Sequence, residues 1–205
     1  MKKNTMSKNF SYALALTGSI ASGKSTVASL LKLHGLQCID ADATAHEVLE
    51  DHPGDIANLF GEQYLLKGKV NRKKLGALIF ANEAEKAKLE TFMHPKIRER
   101  ILEKSLRFEK LKFPYLIDIP LFFETEAYEI DTAVVVYTPK EVQLERLMKR
   151  NDLTEEESLQ RIAAQMDIDD KRDRADFVID NSGNLKHLQA ECELFVEKMK
   201  QLKLG

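Results

Sequence analysis

The residues best suited to chemistry stand close to the start of the chain. Gly18-Ser19-Ile20-Ala21-Ser22-Gly23-Lys24-Ser25-Thr26 carries the spacing G-x-x-x-x-G-K-[ST], in which loop N–H groups and the free N–H groups of a following helix converge on a phosphate. Gly18 and Gly23 allow the tight path. Lys24 would reach the β- and γ-phosphates as a point charge, and the Ser25 hydroxyl would ligate Mg²⁺ held between them. Thr26 completes the ATP-binding stretch and belongs to the helix. A Gly/Ser turn that merely caps an ordinary helix is the alternative, and the flanking pattern weighs against it.

Carboxylates and guanidinium groups supply the rest. Asp40 and Asp42 close a short apolar run, and two acids spaced by two fall on one side of an extended chain. Either could instead be the N-cap of the helix through His46, Val48 and Leu49. Asp118 stands near the end of the strand-like run Tyr115–Ile119, where phosphoryl-transfer sites often hold a metal-bound carboxylate. Residues 146 to 174 concentrate Arg146, Lys149, Arg150, Arg161, Lys171, Arg172 and Arg174. They suit either a salt-bridged surface hairpin or a lid that brings Arg to a transferring phosphoryl group. A second basic cluster, Lys67, Lys69, Arg72, Lys73 and Lys74, suits a solvated helix face or a landing site for a phosphorylated substrate.

These groups need a scaffold, and the hydrophobic pattern describes one. Apolar run 12–16 predicts the strand entering the phosphate loop, and Val27, Leu30, Leu31 and His34 recur at helical spacing after it. Further strands are expected over 36–40, 115–119, 132–137 and 177–179. Between them the pattern is helical over 55–60 and 71–80, with a turn at 65–70, and along a stretch from Glu83 that breaks or kinks at His94-Pro95. Thr138-Pro139-Lys140-Glu141 and Thr154-Glu155-Glu156-Glu157 both read as capping boxes opening helices, the second placing Arg161 and Gln165 on one face. Leu185, Leu188, Cys192, Phe195, Val196 and Met199 form the apolar stripe of a last helix. Strands alternating with helices imply an α/β fold, a doubly wound parallel sheet of five strands.

Composition sets the outer bounds. The 205 residues suffice for one substantial core with a small inserted subdomain. With 31 basic and 33 acidic residues, nothing points to nucleic acid as an obligatory partner. The two cysteines, Cys38 and Cys192, suit a reducing compartment. Residues 1–10 read as a loose lead into the first strand without the apolar region of a signal peptide, and no membrane-length apolar run occurs. A cytoplasmic protein with no membrane partner, a monomer or weak homo-oligomer, is expected.

Taken in order, the segments LTGSIASGKST, IDAD, His94-Pro95, IPLFFE, QLERLMKR, RIAAQ and DNSG resemble the dephospho-CoA kinase family from Tyr12 to about Gln201. The resemblance implies a P-loop NTPase type of fold with a helical acceptor-binding insertion over 55–112 and a lid over 146–175, within one domain of residues 10–205. It implies ATP and dephospho-CoA as substrates, Mg²⁺ as cofactor, Asp42 as general base at the acceptor 3′-hydroxyl, and Arg146 on the transferring group. Asn181 and Gly183 match the loop beside adenine, and His94, Pro95 and Arg98 match the part that holds the acceptor. The family loop usually carries Gly where Ser19 and Ala21 stand here, and a positive φ at Ala21 would cost of order 1 kcal/mol. Other P-loop kinases of nucleosides, nucleotides or small molecules share the same donor features. A nucleotide switch is the rival of another class: Asp51-His52-Pro53-Gly54 fits D-x-x-G, but no N-K-x-D tetrapeptide accompanies it.

Overall fold

The computed structural model describes residues 10–125 and 127–202, so the lead segment expected before Phe10 lies outside the described residues. In chain order the first elements are β1 (Ala13–Gly18), α1 (Lys24–Leu33), β2 (Cys38–Asp40), α2 (Ala41–Asp51) and α3 (Pro53–Phe60). A 3-10 turn at Glu62–Tyr64 leads to β3 (Leu65–Leu66), β4 (Lys69–Val70), α4 (Arg72–Ala81) and α5 (Glu83–Leu111). There follow β5 (Tyr115–Asp118), α6 (Phe122–Thr125), β6 (Ala133–Tyr137), α7 (Lys140–Asn151), α8 (Glu155–Ala163), α9 (Ile168–Asp173), β7 (Phe177–Asp180) and α10 (Leu185–Leu202). The chain forms two compact units. One runs up to Ile39 and resumes at Ser105; the other is Asp40–Lys104, whereas the resemblance sets the insertion at 55–112.

The first unit is built on a five-stranded sheet of order β2-β5-β1-β6-β7. β1 pairs in parallel with β5 and β6, and β6 with β7, in registers such as Leu14 with Leu116, Leu16 with Val134 and Val136 with Ile179. Continuous β-branched and leucine runs suit parallel strands buried on both faces. Leu14, Leu16, Leu116, Val134, Val136 and Ile179 pack with Val27 and Leu31 of α1 and with Leu188, Cys192, Phe195, Val196 and Met199 of α10. Those five α10 side chains contribute on the order of 10 kcal/mol of apolar burial before chain entropy is charged. Leu185 and His34, expected on the buried stripes, are exposed, since each sits at a helix end where the stripe has turned off the sheet.

The second unit has a smaller core of Ile56, Phe60 and Leu75, with Leu49, Tyr64, Val70, Leu89 and Phe92 packed around it. The turn expected at 65–70 is a hairpin whose arms pair Leu65 with Val70 and Leu66 with Lys69. Lys67 at φ 52 and Gly68 at φ 75 give the two positive φ values of a type I′ turn. Asn71 then caps α4 by accepting from the Lys74 N–H at 3.1 Å. Of the break or kink expected at His94-Pro95, the break is absent: α5 runs on through Pro95. One missing N–H leaves the Thr91 carbonyl without its usual donor, a loss of about 3 kcal/mol that a helix of 29 residues absorbs by continuing on both sides. Among the described residues, no helix is long and apolar enough to cross a membrane.

Candidate active site

β1 delivers the chain to Gly18, where an added Cβ would meet the Ser22 hydroxyl at 2.6 Å and the Val136 carbonyl at 3.0 Å. The loop closes on itself when the Ser22 N–H donates to the Ser19 carbonyl at 3.0 Å. Gly23, at φ 88, is the N-cap of α1 and has no side chain to accept from the first-turn N–H groups; the Thr26 N–H returns to the Gly23 carbonyl at 3.0 Å, and the N–H groups before it are left for an anion. Ala21 takes φ 60, the left-handed geometry that glycine adopts without strain. The Lys24 ammonium forms an ion pair with Asp118 at the end of β5, and both side chains are nearly buried. Ser25 and Thr26 are exposed on the first turn of α1.

The far wall of the loop comes from β6, α7 and the turn after β7. The Asn181 side-chain amide donates to the Ser22 carbonyl at 2.7 Å, and the buried Thr138 hydroxyl lies 3.0 Å from the same carbonyl. Thr138 is therefore no helix cap, contrary to the capping box expected at Thr138–Glu141. Its hydroxyl is drawn to loop carbonyls, α7 begins at Lys140 without a side-chain cap, and Gln143 donates to the Thr138 carbonyl instead. Arg146 of α7 donates to the Asn181 carbonyl at 3.0 Å. A cavity of about 340 Å³ opens beside these groups, lined by Ala21, Gly23, Arg146, Arg150, Asn181 and Gly183, with the exposed Leu185 on its rim. Asn181 thus stands beside the cavity, but its amide is committed to the loop backbone.

Residues 154–174 form the expected helices with one difference. The Thr154 capping box is present: its hydroxyl accepts from the Glu157 N–H at 3.2 Å and Glu157 accepts from the Thr154 N–H at 2.9 Å. Two bonds to its carboxylate, from the Thr154 N–H foremost and from the Thr154 hydroxyl at 3.0 Å, hold the Glu157 carboxyl below its ordinary range. Arg161 and Gln165 do not share a helix face, because α8 ends at Ala163 and Gln165 lies beyond its C-cap. Gln165 turns to the phosphate loop, where its side-chain oxygen accepts from the Ile20 N–H at 2.7 Å. Lys171 is fully buried and donates to the Gly18 carbonyl at 3.2 Å while pairing with Glu124 at 2.8 Å. Sequence reasoning gives Lys171 as one basic residue of the 146–174 cluster, Gln165 as a face partner of Arg161 and Thr138 as a cap, and misses the bonds of all three to the phosphate loop. Lys171 reads as surface charge within IDDKRD, and only tertiary packing buries it.

Asp42, His94, Pro95 and Arg98 belong to the second unit. Asp42 does not share one side of an extended strand with Asp40. Asp40 caps α2 by accepting from the Ala43 N–H at 2.9 Å, so the helix starts at Ala41 and turns Asp42 about 100° per residue onto a helical surface. Asp42 is exposed there, as are His94, Pro95 and Arg98 on α5. Arg72 of the basic cluster donates to His46 at 3.0 Å, and Arg100 and Lys104 bind Asp51 and Glu47.

A family model described as dephospho-CoA kinase matches residues 12–187, which include the phosphate loop, the 154–174 helices and the turn at Asn181–Gly183. The chain belongs to the dephospho-CoA kinase family. A dephospho-CoA kinase of Sulfurimonas denitrificans is 58% identical, covering 93% of this chain and 96% of that relative. That of Wolinella succinogenes is 45% identical over the same shares of the two chains. The solved structure of a dephospho-CoA kinase from Campylobacter jejuni superposes with a TM-score of 0.74 at 36% identity, covering 93% of this chain and 98% of that one. Family membership explains why the donor loop is so complete, and it carries no assignment of individual side chains. The N–H groups of α1, Lys24, Asp118 and Arg146 all lie in the first unit.

Proposed function

We propose that the chain transfers the γ-phosphoryl group of ATP to the ribose 3′-hydroxyl of dephospho-CoA, giving coenzyme A and ADP. The observation that carries this reading is the open N-terminus of α1 behind Gly23, with the Lys24 ammonium beside it, in a chain that matches the family from 12 to 187. The loop stretch Gly18–Thr26 would hold the β- and γ-phosphates, and the cavity lined by Gly23, Asn181 and Gly183 would take the adenine end.

Lys24 would exchange Asp118 for phosphate oxygens once nucleotide enters. Arg146, already oriented by the Asn181 carbonyl, would sit against the charge that develops on the transferring group. Asp42 would take the proton of the acceptor hydroxyl, and its exposure leaves it open to an incoming substrate. His94, Pro95 and Arg98 would hold the CoA-like acceptor.

Ser25 and Asp118 offer hard oxygen donors to Mg²⁺, and an ion that keeps substrate phosphates and water as its other ligands fits so small a protein set. Among the described residues, no group of three or more His, Cys, Asp or Glu side chains forms an all-protein cage. When bound, Mg²⁺ would neutralise charge between the phosphates.

The test is mass analysis of the product after dephospho-CoA is incubated with MgATP and the protein. A product heavier by one phosphoryl group, with one ADP per coenzyme A, is expected. Turnover of a nucleoside or other small alcohol with dephospho-CoA left unchanged would overturn the acceptor and keep the donor.

A further inference from the structure

Lys171 is the exception to the rule that lysine stays at the surface, for its side chain has no exposure at all. An ammonium has three N–H bonds, and three oxygens from two stretches meet it: Glu124 at 2.8 Å, the Gly18 carbonyl at 3.2 Å and the Pro120 carbonyl at 3.5 Å. Glu124 in turn accepts from the Met166 N–H at 3.1 Å. A methionine would fill the volume without desolvating a charge, so packing alone gives no reason for an ammonium here. What the ammonium adds is a fixed direction for the Gly18 carbonyl.

The next peptide is fixed from the same segment. Gln165 accepts from the Ile20 N–H at 2.7 Å, and the Ser19 hydroxyl donates to the Met166 carbonyl at 3.5 Å. The peptide planes 18–19 and 19–20 are therefore both held by residues 165–171. The other end of the loop is held through the Ser22 carbonyl by Asn181 and Thr138. Between these anchors stand the residues that turn their N–H groups toward a phosphate.

We infer that Lys171, together with Gln165, is a positioning residue that clasps the opening of the phosphate loop to the segment following α8. The inference rests on the kinase reading above. Neither residue touches the reacting atoms. Through Gly18 and Ile20 they set the loop's N–H directions, so a shift of α8 and α9 is passed directly to the phosphate cradle.

The test compares Gln165→Leu and Lys171→Met with the unaltered protein in two measurements. The first is hydrogen exchange of the peptide spanning residues 18–23, without nucleotide. The second is kcat with dephospho-CoA, counted per MgATP-binding site from stoichiometric titration. We expect exchange at least about tenfold faster, a MgATP dissociation constant within about threefold, and kcat per binding site lower by about 10 to 100-fold. Gln165→Leu carries the test if Lys171→Met fails to fold, since Gln165 is only half-buried. Unchanged exchange in Gln165→Leu, or a kcat that is normal once counted per binding site, would overturn the clasp. If the unaltered protein binds MgATP but makes no coenzyme A, the acceptor reading fails while the exchange measurement still decides the clasp.

Discussion

Around the phosphate loop, side chains from distant stretches bond to backbone; in the unit Asp40–Lys104 the long-range side-chain bonds run mainly to other side chains, Arg72 to His46, Arg100 to Asp51 and Lys104 to Glu47, while its bonds to backbone are mostly local. Asn181, Thr138, Gln165 and Lys171 each meet a peptide group of residues 18–22, and three of the four are buried. In the other unit the ionic contacts are partly exposed pairs, Arg100 with Asp51 and Lys104 with Glu47, and Asp42, His94 and Arg98 are exposed. Buried bonds to peptides fix one geometry, whereas exposed pairs contribute little and leave long side chains free to re-pair. On the proposed function, the contrast suits a donor site made beforehand and an acceptor site finished by its substrate. Substitutions should separate accordingly, with acceptor-unit changes sparing nucleotide binding.

The largest expected effect tests that separation. Asp42→Asn should lower kcat by about 10² to 10⁴-fold, as the loss of a general base does, while the MgATP dissociation constant and Tm stay near the original values. Turnover at the original rate would remove Asp42 from the chemistry. Arg146→Ala comes next, with kcat lower by about 10²-fold. Because Arg146 also braces the Asn181 carbonyl, MgATP binding should weaken as well, and unaltered MgATP binding would sever that link. Arg98→Ala should raise KM for dephospho-CoA by about tenfold and leave KM for MgATP alone, which steady-state kinetics with each substrate varied in turn would show. Equal shifts in both KM values would erase the contrast between the two units.

How far the sequence discloses each unit follows from the same physics. The loop, β1 and α1 are legible because glycine spacing and apolar periodicity are local signals. Thr138 misleads for the opposite reason: S/T-x-x-E is a local cap pattern, and it loses to the Ser22 carbonyl, more than a hundred residues away in sequence. Asp42 sits on helix rather than strand because Asp40 captures the Ala43 N–H and starts α2 at once. Pro95 stays inside α5 because the helix on each side outweighs one lost hydrogen bond. For Lys171 and Gln165 the sequence offers only a basic cluster and a capped helix; which loop peptides they meet is decided by what folds over them.

Thr154 offers a smaller effect on the segment that follows α7. Thr154→Ala removes an N-cap worth about 1 kcal/mol, which in a protein of this size lowers Tm by roughly 2–4 °C near neutral pH. The deficit should depend on pH in a definite sense. The Thr154 N–H, which survives the substitution, and the hydroxyl, which does not, both depress the folded pKa of Glu157, so the hydroxyl's share of the stability is present above the ordinary value of 4.5 and is lost as pH falls through the lower folded value. Melting curves should therefore show the difference from the unaltered protein narrowing below about pH 4.5. A deficit independent of pH would mean that the cap and the carboxylate act separately.

The smallest effect runs in the stabilising direction and probes the rigid side. Ala21 holds φ 60 in a loop whose neighbours on both sides are anchored, so the left-handed geometry is imposed rather than chosen. That conformation costs alanine about 1–2 kcal/mol, and glycine removes the penalty while adding about 0.4–1 kcal/mol of freedom to the unfolded chain. Ala21→Gly should thus be stabilising by about 0.5–1 kcal/mol, a rise of roughly 1–3 °C in Tm. A fall in Tm would say that the methyl group, which faces the cavity beside Arg146, contributes more by packing there than it loses to its backbone.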